Sequence, residues 1–282
     1  MRRSYVSRCM FLLSGLLLCA FTLRAAPSRI ITLSGALTET VDALGLGKHI
    51  VATDVTSTYP AYIKKLPKVS RNRALSAEGI LAFRPDLVLA PAGDISPETQ
   101  QQLKALGIRL VSIRQQYSSR GAVNFIKEVA STLGLAQKGA LLAQQEERNI
   151  AAALASVRSK TIEAPKVLFI YARGTGTMSV AGKGSSLDAI IKLAGAKNAI
   201  QEFSDFKPYT TEALVKANPD VILMFDFGMS SLGGKEAILK MPGMKLTNAG
   251  KNQRIVEMDG QLLTNFSVRL DQAIKELHQH LF

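Results

Sequence analysis

The chain has 282 residues, a formal charge of +13 and 47% hydrophobic side chains, which describes a globular chain with room for one large domain or two small ones. Its two cysteines, Cys9 and Cys19, both precede Ala20, so thiolate metal sites and cysteine nucleophiles are excluded from everything downstream. The basic residues are scattered, with no recognition helix, no Cys/His finger and no aromatic–basic interleaving; this excludes a nucleic-acid partner and leaves a solvated basic surface, an anionic ligand or membrane proximity.

Arg2, Arg3 and Arg8 precede an apolar run from Met10 to Leu23, and Leu23-Arg24-Ala25 offers a cut after Ala25 or Ala26. This is the pattern of a secretory signal peptide over residues 1–25, and it implies export to the periplasm. The run of about 14 residues falls short of the roughly 20 that span a bilayer, which argues against an uncleaved anchor. Lipidation needs a small residue before the cysteine, and Cys19 follows Leu18. The leader is basic and has no acid, so the exported part keeps about nine net positive charges.

Beyond the leader, strands and helices alternate. Arg29–Leu33 is an apolar strand, Thr38–Leu44 a helix ended by Gly45 and Gly47, and Ile50–Thr53 a strand. Ser76–Phe83 reads as a helix, Leu87–Ala90 as a strand, Pro97–Leu106 as a helix stopped by Gly107, Arg109–Ile113 as a strand and Gly121–Leu133 as a helix. Gln137–Lys160 has few breakers and is expected to be a single helix of about 36 Å. The second half repeats the plan. Strands are expected at Lys166–Tyr171, Val221–Phe225 and Arg254–Met258, with helices at Ser186–Ala194, Glu212–Ala217, Ala237–Met241 and Arg269–Leu281. The segment from Ser76 to Leu89 also aligns with Thr210 to Leu223, with nine of 14 positions identical or close. The pattern predicts an α/β protein of two Rossmann-like βα lobes, residues 28–136 and 165–282, joined by a stiff helix over 137–161.

Open parallel sheets bind ligands beyond the carboxyl ends of their strands. In this chain that rule selects the loops Asp54–Tyr59, Pro91–Ile95, Arg114–Arg120, Ala172–Met178, Asp226–Leu232 and Asp259–Thr264. They carry Tyr59, Tyr117, Arg173, Met178, Phe227 and Met229, an apolar and aromatic set with isolated cations, as a small-molecule pocket would have. Signals of catalysis are weak. His278 and His280 lie two apart on a helix and are expected at the surface, and His49 stands alone, so a multi-histidine metal site is not expected. Ala181-Gly-Lys-Gly-Ser185 departs from a phosphate loop at Thr177 and Gly184 and reads as a turn. No nucleophile elbow or paired-carboxylate motif is present, so no enzyme activity is expected.

These features resemble the periplasmic substrate-binding proteins of ABC importers for ferric siderophores, cobalamin and haem, and within them the haem group. The segments Arg29–Glu39, Thr58–Pro60, Leu66–Pro67, Leu75–Ile80, Arg84–Asp86 and Val180–Gly184 carry the likeness, which covers residues 28–282. The resemblance implies a class III binding protein, a monomer, that holds haem between its lobes as cargo, with no catalytic cofactor, and delivers it to an inner-membrane permease. It also implies that Glu78 and Glu212 dock onto the permease, one from each lobe. Haem-group members usually place an iron-ligating tyrosine in a Gly-Tyr pair just before the Leu-Ser-Ala-Glu segment; here those positions hold Ser70 and Arg71. A guanidinium stays protonated and cannot bind iron. Tyr117, Tyr59 and Tyr209 are therefore candidate iron ligands, and Arg71 and Arg173 could hold propionates. Cobalamin or a ferric siderophore is the alternative ligand, and a periplasmic enzyme on a doubly wound fold the alternative of another class.

Overall fold

The structure is a computed structural model that describes residues 27–70, 75–160, 163–174 and 178–282. The signal segment and Arg71 lie outside the described residues.

The first half runs β1 (Ile30–Thr32), α1 (Gly35–Val41), β2 (Ile50–Thr53), α2 (Ala77–Leu81), β3 (Leu87–Pro91), α3 (Pro97–Ala105), β4 (Arg109–Ile113) and α4 (Ser119–Thr132). Its four strands form one parallel sheet in the order β2-β1-β3-β4. Serine side chains start the helices: Ser34, Ser76, Ser96 and Ser118 each accept a backbone N–H from the first turn. The strands are apolar on both faces because helices cover both. Ile30, Leu87 and Leu89 pack under α1 and α4, while Ile31, Val88 and Ala90 pack against Ile80 and Leu103 on the other side.

The single helix α5 (Ala136–Lys160) follows and packs on α4. Gly139 permits this: a Cβ there would collide with the Cβ of Ala130. The second half contains β5 (Lys166–Ala172), β6 (Met178–Ala181), α6 (Ser186–Leu193), β7 (Lys197–Asn198), β8 (Phe206–Pro208), α7 (Thr211–Ala217) and β9 (Val221–Phe225). It ends with α8 (Asp226–Ser231), α9 (Lys235–Leu239), α10 (Asn248–Lys251), β10 (Ile255–Met258), α11 (Gly260–Thr264) and α12 (Leu270–Leu281), and α12 also packs on α5.

The two halves share a core plan, with β5, β9 and β10 parallel as β1, β3 and β4 are. The repeated segment is repeated in three dimensions. Ser76 and Thr210 cap α2 and α7 in the same way, and Arg84 and Asn218 both turn the chain with positive φ, 47° and 42°. Each Pro-Asp aspartate then clips the incoming first strand of its sheet. Asp86 accepts from the Ser28 and Arg29 amides at 2.7 and 3.1 Å, and Asp220 from the Lys166 amide at 2.8 Å.

Three features differ from the sequence reading. β6 runs antiparallel to β5, and β8 antiparallel to β6, where the first lobe has the parallel β2. The presumed loops Asp226–Leu232 and Asp259–Thr264 fold into the short helices α8 and α11. His278 is buried instead of exposed. Its Nδ1 lies 3.0 Å from the Ala194 carbonyl and its ring stacks 4.6 Å from Phe282. His280 is exposed, as expected.

Candidate ligand cleft

The carboxyl ends of the parallel strands in both sheets bear loops that meet. Gln261 of α11 accepts from the Thr58 amide and hydroxyl at 3.1 and 2.9 Å, and Gln115 donates to the Phe266 carbonyl at 3.4 Å. Tyr117 packs edge-on against Phe266 at 5.3 Å. Deeper, Glu39 of α1 accepts from Asn265 at 3.1 Å and from Arg269 at 2.9 and 2.5 Å. These contacts form a floor, with a wall from each lobe beside it.

The first-lobe wall mixes hydroxyls and carboxylates with the aliphatic Leu33, Val55 and Leu75. A cavity of about 370 Å³ is lined by Leu33, Ser34, Asp54, Thr56, Leu75 and Asp94. Its loop is held in shape by Lys68, whose Nζ donates at 2.7 Å both to Thr53 Oγ1 and to the Ser57 carbonyl. Burial pulls the Lys68 amine below its usual value, although the charge of Asp54 opposes this.

The second-lobe wall is aromatic. Tyr171, Phe225 and Phe227 lie within 5.4–6.2 Å of one another, and Phe225 continues inward to Phe169 at 4.7 Å. Phe227 is 41% exposed. Arg173 lies over the Phe227 ring at 5.3 Å and donates its Nε–H to the Tyr171 hydroxyl at 2.6 Å.

The candidate residues therefore separate. Tyr59 stands half exposed at the floor beneath the Arg269 guanidinium, 3.8 Å from its ring centre. Tyr117 is also half exposed, but burial and the charges of Asp205 and Asp94 push its phenol up, so a phenolate there is disfavoured. Tyr209 lies apart. It lines a second, apolar cavity of about 590 Å³ with Met178, Leu232, Lys240 and Met241. Its hydroxyl is buried without a partner among the described residues, and burial raises its phenol. Met229 packs in the lobe core with Met224 and Ile238, 7% exposed, and not on the wall. Glu78 and Glu212 are exposed at matching positions in the first turns of α2 and α7. The phosphate-loop-like segment is a turn: Gly184 donates to the Asp188 carboxylate at 2.9 Å, so the start of α6 already has its anion.

Tyr171 was missed because it was assigned to the strand and not to the loop after it. The signal was present in Tyr171-Ala172-Arg173, since residues two apart in an extended chain share a face. Among the described residues no cluster of three metal-ligating side chains occurs, and no helix is long and apolar enough to cross a membrane.

Two βα lobes on one connecting helix, touching through the loops at their strand ends, have the architecture of a two-lobed solute-binding protein. The chain belongs to the Periplasmic binding protein family, matched over residues 30–262. Its structure is similar to the periplasmic heme-binding protein RhuT from Roseiflexus sp. RS-1, with a TM-score of 0.86, 39% identity, and 90% and 97% of the two chains covered. It is also similar to the periplasmic heme-binding protein BhuT in complex with two hemes, with a TM-score of 0.85, 40% identity and the same coverage. Among curated proteins it is 26% identical to a vitamin B12-binding protein of Vibrio vulnificus, over 95% of each chain. An ABC transporter substrate-binding lipoprotein of Bacillus subtilis is 27% identical over 93% of this chain and 82% of its own. The family and these neighbours are substrate-binding transport proteins and not enzymes, and the family places the chain outside the cytoplasm.

Proposed function

We propose that the protein works in the periplasm as a monomer, captures haem between its lobes and passes it to an inner-membrane ABC permease. The observation that carries the ligand assignment is the Tyr171–Arg173 pair on the aromatic wall. A phenolate suits ferric haem, and a guanidinium already bound to the phenol oxygen compensates the charge that forms when iron binds. Tyr171 thus replaces the tyrosine absent at Arg71, and Tyr59 is the next candidate. Phe227 supplies flat apolar surface for the macrocycle, backed by the buried Phe225, and Arg173 can reach a propionate with its remaining N–H groups. Glu78 and Glu212, one per lobe, are the docking carboxylates, each favoured by the first turn of its own helix.

Titration with hemin tests this. A stoichiometric, shifted Soret band is expected, and Tyr171→Phe should remove the tyrosinate charge-transfer bands. A spectrum identical to free hemin at one equivalent would overturn the haem assignment. The vitamin B12-binding relatives favour cobalamin as the second reading. Calorimetry with cyanocobalamin separates the two, because only one ligand should give saturable heat.

A further inference from the structure

One connecting helix fixes where two lobes are joined but leaves the width of the groove between them open to bending. The floor contacts pair residues far apart in sequence: 203 positions for Thr58 and Gln261, 226 for Glu39 and Asn265, and 230 for Glu39 and Arg269. Glu39 is 2% exposed, and its two oxygens receive three donors from the opposite lobe. Burial pushes its carboxyl above the usual carboxylate range, while the bonds and charge of Arg269 pull the other way. A buried ion pair of this kind adds little net stability, because desolvation offsets the attraction, but its planar fork specifies one orientation.

We infer that Glu39 and Arg269, with Gln261 beside them, form a polar lock that sets the angle between the lobes and holds the Tyr59 ring at the cleft floor. Arg269 does both. Its edge carries the fork to Glu39, and its face covers the Tyr59 ring at 3.8 Å. Gln261 fixes the residues just before Tyr59, accepting from Thr58 and donating to the Thr56 carbonyl. The first residue of α1 is fitted to the lock. A Cβ on Gly35 would sit 2.5 Å from Gln261 Nε2 and 2.6 Å from Asn265 Nδ2, so a side chain there must push those two amide ends out of the lock. Arg269 is a positioning residue; the inference concerns cleft geometry and does not depend on which ligand is bound.

The test measures distances between spin labels, without ligand, on protein carrying Cys9→Ser and Cys19→Ser and labelled at Leu106→Cys and Leu246→Cys. These two sites are exposed, one on each lobe. The parent should give one narrow distribution. Glu39→Met and Arg269→Met singly should unfold at lower temperature, since each strands a buried charge. The double variant should recover most of the lost stability and still give a broad or shifted distribution. Arg269→Lys, which keeps the charge and loses the fork, should broaden it as well. Gly35→Val, with both lock residues intact, should displace the peak, and it answers the question if the double variant does not fold. If haem binds, the double variant should release it at least about tenfold faster. Parent-width distributions in the double variant and in Gly35→Val would overturn the lock. Failure to bind hemin would overturn the haem assignment and leave the distance result standing.

Discussion

The two cleft walls come from the same βα plan and share almost no chemistry. The first-lobe wall sets Ser34, Asp54, Thr56 and Asp94 among the aliphatic Leu33, Val55 and Leu75 and carries no ring, around a loop tied down by Lys68. The second-lobe wall is a stack of rings ending in Tyr171 and Arg173. The halves agree wherever a residue builds the scaffold, as in the Ser76 and Thr210 caps and the Asp86 and Asp220 clips. They diverge at the strand ends, where nothing in the scaffold constrains the side chain. The repeated plan thus gives two equivalent supports, and the proposed ligand chemistry sits on one of them.

The strongest way to break this contrast is through the cores. Phe169→Ala should cost about 3–5 kcal/mol and also disturb the hemin spectrum, because Phe169 supports Phe225. Leu89→Ala, in the first-lobe core, should cost about 2–5 kcal/mol and leave the spectrum of the folded protein unchanged. Chemical denaturation and absorption spectra check both, and equal spectral effects would remove the distinction between the walls.

The connecting helix belongs to neither wall and should respond to pH. Burial, then repulsion from Asp271, pushes the Glu146 carboxyl up to about 7, although amide bonds from Asp271 and Leu270 and the Asn149 side chain oppose this. The folded protein therefore keeps this proton up to about pH 7, whereas the unfolded chain releases it near its ordinary value of 4.5. Stability from this group falls as pH rises between those values and is flat above, a loss on the order of 3 kcal/mol. Glu146→Gln should flatten that slope in unfolding midpoints measured from pH 5 to 8; an unchanged slope would sink the assignment.

Within the aromatic wall, Arg173→Leu should weaken hemin binding about 10–100-fold, or about 1.4–2.8 kcal/mol, with little change in stability. The smallest effect sharpens the scaffold side of the contrast. Ser76→Ala and Thr210→Ala should each cost about 1 kcal/mol, and by nearly equal amounts if the caps are equivalent.

The alternation of strands and helices was readable because Ile30–Thr32, Leu87–Pro91 and Val221–Phe225 are short apolar runs bounded by turns and caps. The β6–β8 pair was not, because Phe206–Pro208 is short, has no buried residue and carries no periodic apolar signal. The helical turn of Asp226–Ser231 was hidden for a related reason, since Gly228 and two serines resemble a loop until Ala172 and Met224 pack against Gly228. Of the site, Tyr59, Tyr117, Arg173 and Phe227 could be chosen from strand-end position alone. Glu39, Gln261 and Arg269 could not, because a buried ion pair between residues 230 positions apart leaves no local pattern.

The first described strand, β1, occupies the interior of its sheet between β2 and β3, and its entry is clipped directly by Asp86. A purification tag or surface linker fused just ahead of Ser28 would therefore pull on the middle rung of the first lobe. Phe282, at the other end, is half exposed at the tip of α12. Immobilising the protein for ligand-capture sensing should use that carboxyl end, which leaves both sheets unloaded.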